Sequence, residues 1–187
     1  MMSTKVKGTL LLLAMGMAAF FYACSKYKDP PPGVPNDELK KRHYCNDPLA
    51  VNYNWGFPGT PDSTICTYPV DSFLGAWVLT DTAFFPDGTV QGSQTRNLVF
   101  TSTEDTVKRH LSVSGWCGNT MPFLVTADKY KKAVVDTLLV GSPGQYICNN
   151  TDTLSGGLRQ GNDTLLIDFT ITNAGSTLYH KGVAVRP

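Results

Sequence analysis

Apolar and polar residues alternate with a period of two along much of the chain from Asp71 onward. The clearest stretch is Asp163 to Thr172, where Leu165, Ile167, Phe169 and Ile171 fall on one face and Thr164, Asp168 and Thr170 on the other. Such alternation marks a strand with one buried and one wet face. Between Thr106 and Ser114 the same scheme points Val107, Leu111 and Val113 inward, with Arg109 interrupting the row. Strands are expected near 75–82, 95–103, 106–114, 120–127, 132–140, 145–150, 163–172 and 177–186. The turns fall at Asp87-Gly88, Glu104-Asp105, Gly161-Asn162 and Asn173-Ala174-Gly175, with Gly115-Trp116-Cys117-Gly118 as a further tight turn. Tyr130, Val134 and Leu138 stand at fourfold spacing, a helical signal, but the Ala-Val-Val and Thr content around them favours strand. The pattern predicts an all-β domain over 71–187, an antiparallel eight-stranded barrel or a compact β-sandwich. Closure into a barrel removes exposed edges.

The N-terminal pattern is different. Lys5 and Lys7 precede an apolar run, Thr9 to Ala23, that stops at Cys24. Its 15 residues fall short of the roughly 20 a helix needs to cross a bilayer. The basic flank and the small residue before the cysteine have the layout of an export signal. This stretch resembles a bacterial lipoprotein signal peptide, with Phe21-Tyr22-Ala23-Cys24 in the place of the lipobox, as in lipoproteins of Bacteroidota-type bacteria. The resemblance implies removal of residues 1–23, acylation of Cys24 with palmitate-type chains, and a cell-envelope location held by more than one chain. Ser25 after the cysteine makes the outer membrane the expected site. From 24 to 42 the chain reads as a tether, because Pro30, Pro31, Pro32 and Pro35 exclude helix and sheet and favour an extended spacer.

Charge and cysteine content narrow this further. Residues 24–187 carry 14 Lys and Arg against 15 Asp and Glu, which gives no electrostatic reason to expect nucleic acid as a partner. With Cys24 acylated, Cys45, Cys66, Cys117 and Cys148 remain, an even number suited to disulfides in an oxidising envelope. Three connectivities exist, and Cys45–Cys66 with Cys117–Cys148 is preferred because each pair lies within one segment. The alternative is a metal site using His43 and Cys45 as H-x-C, but the paired C-x-x-C hooks of common zinc folds are missing.

Residues 43–70 read as a small disulfide-closed module. Cys45-Asn46-Asp47-Pro48-Leu49-Ala50-Val51-Asn52-Tyr53-Asn54, followed by Asp62-Ser63-Thr64-Ile65-Cys66-Thr67-Tyr68, is similar to a short cysteine module of bacterial surface proteins. A crosslink closing a loop of that size contributes on the order of 3 kcal/mol. Asp47, Asn52, Asn54 and Asp62 carry oxygens suited to calcium, but without the spacing of a preformed loop they are expected to shape turns.

Within Phe73-Leu74-Gly75-Ala76-Trp77, Gly75 and Trp77 resemble the G-x-W signature of lipocalins and lipocalin-like bacterial lipoproteins. The resemblance implies that Trp77 closes one end of a barrel and that Arg186, from the last strand, packs over it. Of the three histidines, His43 precedes the domain, while His110 and His180 are placed at outward strand positions. None lies in H-E-x-x-H, and no G-x-S-x-G is present, so neither catalytic residues, a metal nor a cofactor is expected. Arg159, Lys108, Arg109 and Lys181 read as solvated charge. Asp-Thr followed by an apolar or small residue recurs at Thr82, Thr106, Thr137, Thr153 and Thr164, with Asp62-Ser63-Thr64 similar. These resemble O-glycosylation acceptors of Bacteroidota-type envelopes, although Asp capping a turn and Thr opening a strand explain them equally. The expected function is a non-catalytic, envelope-anchored binding domain for a small apolar molecule, a glycan or a protein partner, with Trp116, Tyr130 and Tyr146 as exposed aromatics. A structural or assembly component of an outer-membrane complex comes second, and a hydrolase with a dispersed site third.

Overall fold

The computed structural model describes residues 36–54, 58–103, 105–139, 141, 144–149 and 151–187. The signal segment 1–23, Cys24 and the tether to residue 35 lie outside the described residues. Two units divide the rest: 36–42 with 58–60, and 43–54 with 61–187. In the first, Asn36–Lys40 is a five-residue helix, which corrects the expectation of an extended tether up to 42. Proline suits the start of a helix as well as it blocks the interior, so Pro35 excludes helix only before itself.

The second unit is an all-β, antiparallel barrel preceded by the cysteine module. Its strands are β1 (Gly75–Phe84), β2 (Val90–Ser102), β3 (His110–Ala127), β4 (Lys132–Val135), β5 (Gln145–Tyr146), β6 (Thr153–Gln160), β7 (Thr164–Asn173) and β8 (Ser176–Val185). All are antiparallel, in the order β4-β3-β2-β1-β8-β7-β6-β5, and a β4–β6 pairing closes the ring. That closing seam is short. Lys132, Ala133 and Val134 of β4 pair with Arg159, Leu158 and Gly157 of β6, while β5 occupies the rest of the same β6 edge through Gln145 and Tyr146. Where the backbone ladder lapses, the buried Gln145 amide takes over. It donates to the carbonyls of Leu124 (2.6 Å) and Asp136 (3.2 Å) and accepts from the Leu124 N–H (2.9 Å), so a buried polar group stays satisfied.

The expected strands 106–114 and 120–127 form the two arms of a hairpin within the span β3. The Ala127 N–H donates to the Arg109 carbonyl (2.8 Å) and His110 Nδ1 lies 2.9 Å from the Thr126 hydroxyl, which puts the reversal near Gly118, at φ +70°. In the first arm Gly115 has φ +96° and a Cβ there would lie 1.9 Å from the Asn97 carbonyl oxygen, a conformation and an approach only glycine allows. Two strand expectations are corrected. First, the span begins at His110, so Val107 is exposed in the preceding turn, and Arg109 stands just before it, its carbonyl accepting from the Ala127 N–H (2.8 Å) and its Nε donating to the Ala127 carbonyl (3.1 Å). Second, Thr153–Gln160 forms β6, where no strand was expected, and it passes through Gly156-Gly157.

The inward side chains fill the barrel. Trp77, Phe73, Phe100, Phe123, Phe169, Leu79 and Leu98 are fully buried and belong to one contiguous core. At one end the Trp77 indole N–H donates to the Phe73 carbonyl (2.8 Å). The Arg186 guanidinium lies 4.3 Å from the Trp77 ring and donates to the Leu74 carbonyl (3.0 Å), a cation–π contact that also closes the backbone.

Disulfides join Cys45 to Cys66 and Cys117 to Cys148. In the module, Asn52 bridges two strands of chain, donating to the Ile65 carbonyl (2.7 Å) and accepting from the Thr67 N–H (2.9 Å). Asp47 accepts from the Leu49 N–H (2.9 Å) and from the Tyr68 hydroxyl (2.8 Å), and Tyr68 packs on the barrel core. Asp62 caps the turn at Ser63–Ile65 and lies 3.1 Å from His43. These carboxylates and the Asn52 amide shape turns.

Candidate functional site: an outer groove over the closing seam

Period-two alternation puts two different surfaces on the same strands. Opposite the filled lumen, the outer faces of β4, β6, β7, β8 and β1 line a groove of about 1050 Å³. Registers order its side chains into two rows. One runs Lys132, Arg159, Leu166, Val183, Thr80; the other runs Val134, Gly157, Asp168, Lys181, Thr82. Gly156, at φ +111°, keeps the wall tight beneath it, since a Cβ there would lie 2.3 Å from the Asp168 carbonyl oxygen. Leu166 (44% exposed), Val183 (45%) and Val134 (60%) give the groove an apolar floor. Lys132, Arg159 and Lys181 supply three cations against the single carboxylate of Asp168. Of the basic residues singled out in the sequence, the structure brings Arg159 and Lys181 to this groove. Lys108 stands elsewhere, its ammonium 5.9 Å from the Tyr68 ring.

A second cluster lies inside the barrel. His180, expected on the outer face, is buried (4% exposed), and its Nδ1 is 2.8 Å from Asp81 Oδ2. The strand pattern misleads here because β8 turns its small residues inward: Gly182 faces the Leu79 side chain and Ala184 is buried. Arg96 approaches the same Asp81 oxygen (3.8 Å), donates to the Trp116 carbonyl (2.7 Å) and stacks 4.4 Å from the Trp116 ring. Burial draws the Arg96 guanidinium below its ordinary pKa, against the opposing pull of Asp81. Trp116, expected to be exposed, is 3% exposed and meets His180 and Phe169 edge-on at 5.3 and 5.5 Å. Tyr130 and Tyr146 are exposed, and neither lines the groove.

His110 forms a third, surface cluster. Its Nδ1 is 2.9 Å from the Thr126 hydroxyl, which donates to Asp136 Oδ1 (2.6 Å), and its Nε2 is 3.4 Å from Asp105. Neither His110 nor His180 lines the outer groove. Among the Asp-Thr threonines, Thr106 and Thr137 are exposed, whereas Thr82, Thr153 and Thr164 are partly buried. The Thr82 hydroxyl lies 2.9 Å from that of Ser93. No local signal announced the groove, because Lys132, Arg159 and Val183 meet only through strand pairing.

No family model matches this chain, and no curated protein matches it. Among solved structures it is similar to the crystal structure of a protein of unknown function from the DUF3598 family of Nostoc punctiforme, with 11% identity and a TM-score of 0.41. That similarity covers 63% of this chain and 49% of the other, so the chain spans about half the length of that structure.

Proposed function

We propose that the chain is a lipoprotein of the bacterial cell envelope, anchored through acyl groups on Cys24, whose barrel is a non-catalytic binding domain. Its ligand surface is the outer groove rather than the lumen. The observation that carries the reading is the division of labour between the two faces of β7: Leu165, Ile167 and Phe169 are buried in the core, while Leu166 and Asp168 are exposed along the groove. Concave surfaces with an apolar floor and a few polar groups are where small ligands bind. The non-catalytic reading draws on the lumenal Asp81–His180 pair, which is walled in by Trp116 and Phe169 and offers a substrate no approach.

Capture of the full chain from solubilised envelope, with mass spectrometry of the intact protein and of co-purifying molecules, tests this. The reading expects an acyl mass on Cys24 and a small molecule that leaves when the groove is altered by Val183→Asp. A chain with an unmodified Cys24 and no bound molecule contradicts it. The same spectrum reports glycan, for which Thr106 and Thr137 are the accessible threonines.

A further inference from the structure

We propose that the outer groove binds an amphipathic monoanion. Its charged head sits between Lys132 and Arg159 at the closing seam, and its aliphatic part lies over Leu166 and Val183. This rests on the reading of the barrel as a binding domain and adds the chemistry of the ligand.

The seam itself carries the argument. Lys132 stands directly opposite Arg159 in a pairing only three residues long. Like charges placed directly opposite in an antiparallel pair are destabilising, and at this position they oppose closure of the barrel. Among the described residues, no carboxylate lies within ion-pair distance of either side chain. An anion between them turns repulsion into charge-assisted hydrogen bonds, and the Arg159 fork suits the two oxygens of a carboxylate or phosphate.

The rest of the row sets the other half of the ligand. From Arg159 the register steps to Leu166, Val183 and Thr80. At roughly 4.8 Å per strand this is an apolar path on the order of 14 Å long ending at a hydroxyl. The neighbouring row pairs Asp168 with Lys181. A second negative charge farther along the groove therefore meets a carboxylate, which disfavours a polyanion. The lining holds no aromatic ring on which a sugar face could stack. One head and one aliphatic chain fit both rows.

The test uses the full chain in nanodiscs of zwitterionic lipid and a decanoate analogue with a photoreactive group on its chain, adducts being mapped by mass spectrometry. Adducts are expected on β7 and β8 at Leu166 and Val183. Decanoate should compete at least tenfold better than decanol, which has no charge, or inorganic phosphate, which has no chain. The double variant Lys132→Gln, Arg159→Gln should lose labelling tenfold or more. Lys132→Gln alone should melt at a higher temperature than the parent without ligand and gain less from decanoate, a readout independent of labelling. Labelling inside the barrel, unchanged labelling of the double variant, or equal competition by decanol overturns the proposal. So does competition by phosphatidylglycerol vesicles where decanoate fails, which assigns the groove to a membrane surface. An uncharged co-purifying molecule displaced by Val183→Asp refutes the anion while leaving the binding domain standing; no adduct and no captured molecule refutes both.

Discussion

Within β7, neighbouring residues belong to different worlds. Phe169 is fully buried, with its ring edge-on to Trp116 at 5.5 Å and to Phe123 at 5.7 Å, while Leu166 is 44% exposed on the outer wall. The inner face holds the barrel together, and the outer face is free to recognise something. In a barrel with a hollow lumen these roles merge, because the side chains that line the cavity also make the core. Here aromatic side chains occupy the lumen, and the proposed recognition surface is the outer face. The polar groups divide in the same way: Asp81 and His180 are paired and buried, whereas Asp168 and Lys181, direct neighbours across β7 and β8, are exposed.

The contrast is sharpest on truncation. Phe169→Ala should cost about 3–5 kcal/mol of unfolding free energy, and Leu166→Ala, three residues away on the other face, about 0.5 kcal/mol or less. Urea unfolding of both variants measures the gap; comparable losses would mean that the outer face is part of the core. A smaller effect is expected from the carboxylates. Asp81→Ala leaves His180 without its hydrogen bond and the partly buried Arg96 without its counter-charge, at a cost of about 2–3 kcal/mol. Asp168→Ala should change stability by about 0.5 kcal/mol or less.

The smallest effect belongs to the cysteine module, where stability comes from turns rather than a core. The carboxyl of Asp47 is held below its ordinary value chiefly by the Leu49 N–H and then the Tyr68 hydroxyl, and that of Asp62 chiefly by the Thr64 hydroxyl and N–H. Depressed carboxyl pKa values contribute stability that is present above the unfolded value near 3.8 and lost as pH falls through the folded values. Acid titration followed by NMR should therefore loosen module resonances such as Leu49 and Thr64 at pH values below 3.8, before those of Phe169. Simultaneous loss would make module and barrel one cooperative unit.

How much of this was legible in the sequence depends on the strand. In β7 every inward residue is large and apolar, so its faces could be read directly. In β8 the pattern runs backwards: Val183 and Val185 face out, while His180, Gly182 and Ala184 face in, because Leu79 already fills the space beside Gly182. Packing partners set that reversal, and a single strand does not contain them. The strand β6 was missed for a related reason: Gly156 and Gly157 serve close backbone approaches that exist only after pairing. The cysteine pairs followed from segment spacing. The groove was illegible because Lys132 and Arg159 lie on strands that only the ring's closure brings together.

The central claim, a packed lumen with recognition outside, is tested most directly by xenon. An empty apolar cavity takes up xenon, whereas a space already filled by side chains does not. In methyl-resolved NMR under xenon pressure, the lumenal methyls of Leu79, Leu98 and Leu165 are expected to hold their shifts. Saturable shifts at those methyls would reveal an empty chamber inside the barrel and contradict the account.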